Sequence, residues 1–210
     1  MSAFARSEHS PEEVPTVDVT TPITSTHPPL AAHAARTRSL TATVAIGFAF
    51  VVIQALSARL PIQVPGTPIP ITLQPVIVLL SGAFLGARAG AATQIAYLGL
   101  GALGLPMFVY GGGFLYLFGP TGGYLFGFVM AAYAVGRLIE SGAYRSYIST
   151  FVAMLFASYI IIGMGSLYLA LFYEGDFIRG FLHGGLWFIL ADFVKVAAAA
   201  ALFRAIRRNK

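Results

Sequence analysis

Six apolar runs, at residues 40–58, 71–86, 89–105, 119–139, 147–173 and 186–204, recur along this 210-residue chain and decide what it can fold into. A bilayer core about 30 Å thick is crossed by about 20 helical residues, and the runs cluster around that length. In hydrocarbon each backbone N–H and C=O needs a partner within the protein, a demand that helices meet internally. The expected fold is therefore all-α, a polytopic membrane protein with six transmembrane helices. Composition agrees: at 57 % hydrophobic, 10 % charged and a mean hydropathy of +0.78, the chain carries more apolar side chain than a soluble domain hides.

The segment before the first run is of another kind. Pro11, Pro15, Pro22, Pro28 and Pro29 stand among Thr, Ser, His and Glu with no helical or strand period, so residues 1–35 are expected to be a disordered cytosolic tail and 36–210 the membrane domain. The segment lacks the basic start and immediate apolar core of a signal peptide, and the first apolar run is expected to remain in the mature protein. His9, His27 and His33 are too irregularly spaced to suggest a metal site. The absence of cysteine removes disulfides, thiolate metal sites and cysteine nucleophiles together.

The last run hides Asp192 and Lys195. Each costs about 2.5–3.5 kcal/mol at the centre of a membrane helix, and a spacing of three places them on one helical face. Three readings stay open: a structural ion pair, a lysine reaching for the headgroups, or the polar floor of a ligand pocket, intramembrane charges being functional by default. Other polar residues are scattered. Gln74, near the entrance of the second run, faces water as readily as a ligand; Gln94 and Tyr97 share a face of the third. Glycines 82, 86 and 90 fall at four-residue steps and are expected to pack the second helix against the third. Ala45 and Ala49 have small-xxx-small spacing, which serves packing within the bundle and docking to a partner equally.

Two connectors are unusual. PIQVPGTPIP (61–70) is too rich in proline for a helix. LPMFVYGGGFLYLFGP (105–120) joins three consecutive glycines and five aromatics without a charge; it reads as a lid over the bundle mouth, with Gly111, Gly112 and Gly113 as its source of movement, or as an aromatic belt at the membrane surface. Pro120 is expected in the first turn of the fourth helix. The connector between the fifth and sixth runs holds Glu174, Asp176, Arg179 and His183, the last read as interfacial.

Orientation follows from the cations. Arg36, Arg38, Arg88, Arg137, Arg145, Arg204, Arg207, Arg208 and Lys210 gather on one side, against Arg59 and Arg179 on the other. The positive-inside rule then puts both termini in the cytoplasm and Asp192 roughly 10–15 Å below the outer surface. The net charge of +5 reflects this topology rather than nucleic-acid binding. The spans contain no GxSxG elbow, HExxH pair or nucleotide loop, so neither an enzyme nor a cofactor or metal site is expected, and uphill transport would need a separate motor.

In sequence order, PITLQ (70–74), glycines 82, 86 and 90, YLGLGALGLPMF (97–108), GPTGGYLFGF (119–128) and DFVK (192–195) resemble the BioY family, the biotin-specific substrate-binding subunits (S components) of energy-coupling factor (ECF) transporters. The resemblance covers residues 40–208, and its specific part is GPTGGY after GLP combined with D-x-x-K in the last run. It implies an S-component-like six-helix bundle in the cytoplasmic (inner) membrane, surrounded by lipid and capturing biotin from outside. The implied partners are a transmembrane coupling subunit and two ATPase subunits. By motif, Asp192 and Lys195 contact the vitamin, with ring contacts expected from Tyr97, Tyr110 and Tyr124; Ala45 and Ala49 become the docking surface. Some relatives place a polar side chain in the third connector, where this chain has Tyr110 followed by glycines. The rivals are an S component for another vitamin and a structural or channel protein with a buried ion pair.

Overall fold

The computed structural model describes residues 39–172 and 175–208; the tail expected over 1–35 lies outside them. Each apolar run carries a helix: α1 Leu40–Ser57, α2 Gln74–Leu85, α3 Ala87–Ala102, α4 Gly122–Glu140 and α5 Tyr147–Phe172, then a short α6 Phe177–Phe181 that passes through a π-helical turn, Leu182–Leu186, into α7 Trp187–Arg208. Among the described residues there is no strand, only two isolated bridges, Ile62 to Ile71 and Phe108 to Gly111. Among the described residues three helices are by themselves long and apolar enough to cross a bilayer: α1, α4 and α5. With 12 residues α2 is only about 18 Å long.

Several boundaries differ from expectation for local reasons. The second helix begins at Gln74 rather than 71 because Ile71 exchanges backbone hydrogen bonds with Ile62 at 2.9 Å in both directions, holding the proline connector extended up to the helix. Pro75 then occupies the first turn, where a missing N–H leaves nothing unpaired. Pro120 does not do so: α4 starts after Thr121, and Pro120 lies in the preceding turn, closed by the Gly122 amide donating to the Gly119 carbonyl at 2.9 Å. The stretch before the last helix is helical too, because the Asp176 carboxylate accepts from the Arg179 amide at 2.9 Å and caps α6.

At the centre of the bundle α4 packs against α2, α3 and α5; α5 also carries α7, and α1 lies at the edge against α2 and α3. Lipid offers no hydrophobic gain for bringing helices together, so close backbone approach has to supply the attraction. Gly82 and Gly90 do this for α2 and α3: a Cβ on Gly90 would come within 2.6 Å of the Gly82 Cα, as the glycine spacing led us to expect. Nearby, Gln94 donates to Ser81 Oγ at 3.0 Å, a contact of the kind worth about 0.6 kcal/mol in lipid. The Glu140 carboxylate accepts from the Ala87 amide at 2.8 Å, placing negative charge at the start of α3.

The outer surface is apolar. Val44, Phe48 and Leu56 of α1, Ile148 and Phe156 of α5 and Val194 of α7 are all exposed, a pattern that would make a water-soluble monomer aggregate and that suits contact with lipid. The inward stripe of α1 is Gly47, Val51, Gln54 and Ser57. Ala45 and Ala49 are exposed on the opposite side, so they pack no helix of this bundle.

Candidate functional site

On α7, Asp192 and Lys195 stand one turn apart and form an ion pair between Asp192 Oδ1 and Lys195 Nζ. The second carboxylate oxygen accepts from Ser158 Oγ of α5. Asp192 is 2 % exposed and Ser158 fully buried. A bare carboxylate there would be prohibitively costly, and two charge-assisted partners offset that cost. Lys195 points a further donor at the Thr72 carbonyl at 3.4 Å, a long contact that leaves donor capacity in hand.

Both side chains open onto a cavity of about 60 Å³. Its polar end is formed by Asp192, Lys195, Thr72 and Gln74, and its walls by Phe108, Tyr116, Tyr124, Phe128, Ile161 and Phe188 among others. The Tyr124 and Phe188 rings lie 6.0 Å apart, tilted by 44°. A few polar groups at one end of an apolar slot is the usual build of a small-molecule site.

Gln74, the first residue of α2, is 4 % exposed and fixed from behind. Its Nε2 donates to the Tyr97 hydroxyl at 2.5 Å, which donates in turn to the Met107 carbonyl at 2.7 Å. Tyr97 is therefore not a wall of the cavity, contrary to expectation: it is fully buried behind Gln74, its ring edge-on to Phe108 at 5.7 Å. Tyr110 is likewise displaced. It is 60 % exposed, accepts a hydrogen bond from Gln63 Nε2 at 2.8 Å, and borders an outer groove instead of the cavity. Of the three tyrosines expected to touch a ligand, Tyr124 alone lines the cavity. Spacing placed Tyr97 on a helix face but did not say which neighbour that face met.

The aromatic connector folds down onto the bundle. Phe108 is 1 % exposed and stacks on Tyr116 at 4.8 Å, and Phe114–Phe118 forms a 3-10 turn. Its glycines are held in place: Gly113 donates to the Gly101 carbonyl at 2.7 Å, and a Cβ on Gly112 would strike the Leu105 carbonyl. Gly111 and Gly113 adopt positive φ. The glycines here are required by close approach and backbone conformation, a different reason from the mobility read in the sequence. Burial pushes the Tyr116 phenol above the ordinary tyrosine range, which keeps it a neutral donor.

Residues that sequence reasoning passed over include Ser158, Tyr116, Thr121, Phe128 and Phe188. Ser158 had one available signal, a hydroxyl within an apolar run, but that run also holds Ser149, Thr150 and Ser166, and the partner of Ser158 stands 34 residues away, where no spacing rule connects them. The carbonyl of His183 accepts from Thr67 Oγ1 at 2.5 Å, tying the proline connector to the π-helical turn. Among the described residues no three His, Cys, Asp or Glu side chains gather as a metal site.

Residues 26–210 match the model of the BioY family. The biotin transporter BioY of Thermotoga maritima is 36 % identical over 151 residues, 71 % of this chain and 86 % of that protein. A probable biotin transporter BioY of Pyrococcus horikoshii is 34 % identical over 161 residues, 76 % and 93 % of the two chains. In fold, the chain is similar to a crystal structure of the S-component for biotin from an ECF-type ABC transporter, with a TM-score of 0.75 at 22 % identity over 80 % of this chain and 92 % of that one.

Proposed function

The chain belongs to the BioY family, and from that premise we propose that it is the biotin-capturing membrane subunit of an ECF-type transporter. The observation that carries this reading is the buried Asp192–Lys195 pair at the polar end of an aromatic-lined cavity. A ureido ring offers N–H donors to a carboxylate and a carbonyl oxygen to an ammonium, and a charged partner roughly doubles the strength of each hydrogen bond. Asp192 and Lys195 are the proposed ureido contacts, Gln74 a third polar contact, and Tyr124 and Phe188 ring contacts. Tyr97 holds Gln74 in place, and Tyr110 stands at the mouth. The connector carrying Gly111, Gly112 and Gly113 is the proposed cover of the site.

All six principal helices cross the membrane in this reading, with α2 and α3 completed by their folded connectors. The nine-to-two distribution of cations puts both termini in the cytoplasm of a cell whose inner membrane holds the protein. Ala45 and Ala49, exposed on α1, offer close approach to a transmembrane coupling subunit served by two ATPase subunits. The role is binding and delivery without catalysis.

Thermal denaturation of the purified protein with a panel of vitamins tests the assignment. Biotin is expected to raise the midpoint while thiamine, riboflavin and folate leave it unchanged. Stabilisation by another vitamin and not by biotin would reassign the site, and no response to any would reduce the ion pair to a structural device.

A further inference from the structure

A second space adjoins the cavity. Outside it lies a groove of about 250 Å³ lined by Pro68, Tyr110, Tyr116, Gly119, Pro120 and Thr121. Tyr116 and Thr121 line both spaces, so the two share a wall. Their chemistry differs sharply. The inner chamber holds the carboxylate and the ammonium of the site; the groove is built from proline, glycine, two phenols and one hydroxyl, with no charged side chain among its described lining residues. Tyr110, on its rim, is well exposed to water.

A ligand whose ring system occupies the inner chamber has this groove beside it, past Tyr116 and Thr121, as a place for its side chain. The ammonium among the described lining residues, that of Lys195, is already engaged with Asp192. The start of α4, at Gly122, adjoins the groove through Thr121 and favours negative charge there. At an exposed, solvated helix end that preference is worth only about twofold to fivefold in affinity.

We propose that the groove is a tail subsite that accepts neutral, extended acyl chains, so that the ligand class is the bicyclic ureido head with either a free carboxylate or a carboxamide-linked extension. This inference rests on the biotin reading of the inner chamber and adds that the carboxylate is not a required element of recognition. Selectivity then resides at the ring, and conjugates in which the vitamin is joined through an amide, such as biotinyl-lysine, are ligands in their own right.

Competition against radiolabelled biotin on the purified protein tests this, with biotinamide, biotinyl-lysine and diaminobiotin as competitors. The two amides are expected to compete within about tenfold of biotin, the loss left by a screened helix end, while diaminobiotin, which lacks the ureido carbonyl, competes poorly. Amides at least a hundredfold weaker than biotin would overturn the tail subsite, because the carboxylate would then be held by a buried charge, and would leave the biotin assignment intact. Failure of biotin itself to bind would remove both. Gly119→Leu supplies a second measurement: Gly119 has an ordinary extended backbone, φ −76° and ψ 177°, and lines the groove without lining the inner chamber. It is expected to weaken biotinyl-lysine at least fivefold more than biotin. Unchanged affinity for biotinyl-lysine would overturn the assignment of the groove.

Discussion

Ser158 of α5 donates its hydroxyl to the carboxylate of Asp192 on α7, a hydrogen bond between two buried side chains. It fixes the acid in one rotamer and leaves Lys195 on the other oxygen, so that the pair presents a defined polar end to the cavity. The first prediction concerns that bond. Removing a hydrogen bond to a charged group costs about 1.5–3 kcal/mol, so Ser158→Ala is expected to lower biotin affinity by about tenfold or more, with Ser158→Thr recovering part of the loss. Titration calorimetry on both variants checks this; equal affinity for Ala and wild type would make Ser158 a packing residue.

The pair itself should matter more. Truncating one member strands the other as a buried charge, which costs about 2–5 kcal/mol. Asp192→Asn and Lys195→Ala are each expected to weaken biotin binding by at least thirtyfold, and the double replacement by less than the product of the two. Equilibrium binding on the three variants gives the coupling directly.

Tyr97 is expected to behave as a support rather than a contact. Tyr97→Phe deletes the link from Gln74 to the Met107 carbonyl while preserving the ring against Phe108. The expected cost is about 1 kcal/mol of stability and a loss of affinity smaller than that of Gln74→Leu. Thermal denaturation with and without biotin separates the two effects.

On α1, Ala45 and Ala49 face away from the bundle. Ala45→Leu and Ala49→Leu are therefore expected to leave biotin affinity within about twofold while lowering uptake in cells that contain the energising subunits, because a docking surface of small residues works by close approach. Uptake at the wild-type level would release α1 from that role.

Gly112 provides a test of the connector. A methyl group there meets the Leu105 carbonyl with no room to move, so Gly112→Ala is expected to destabilise the fold by about 1–3 kcal/mol, measured as a lowered denaturation midpoint. A glycine that served only mobility would tolerate alanine without loss.

Much of this protein is legible in its sequence because the solvent it faces is so restrictive. Hydrocarbon admits only backbone that satisfies itself, so six apolar runs specified the helical plan. The same restriction made Asp192 and Lys195 conspicuous, and the helical period placed them together. Gly82 and Gly90 were readable for a related reason, since close helix packing has a short-range signature in the chain. What the tertiary structure alone decided is which distant residues meet. Ser158 reaches Asp192 from another helix, Tyr97 turns behind Gln74 instead of into the cavity, and Tyr110 moves out to the groove. Periodicity assigns a residue to a face, but the identity of whatever that face meets depends on helix rotation and on connectors folded by contacts far apart in sequence, and neither leaves a local mark.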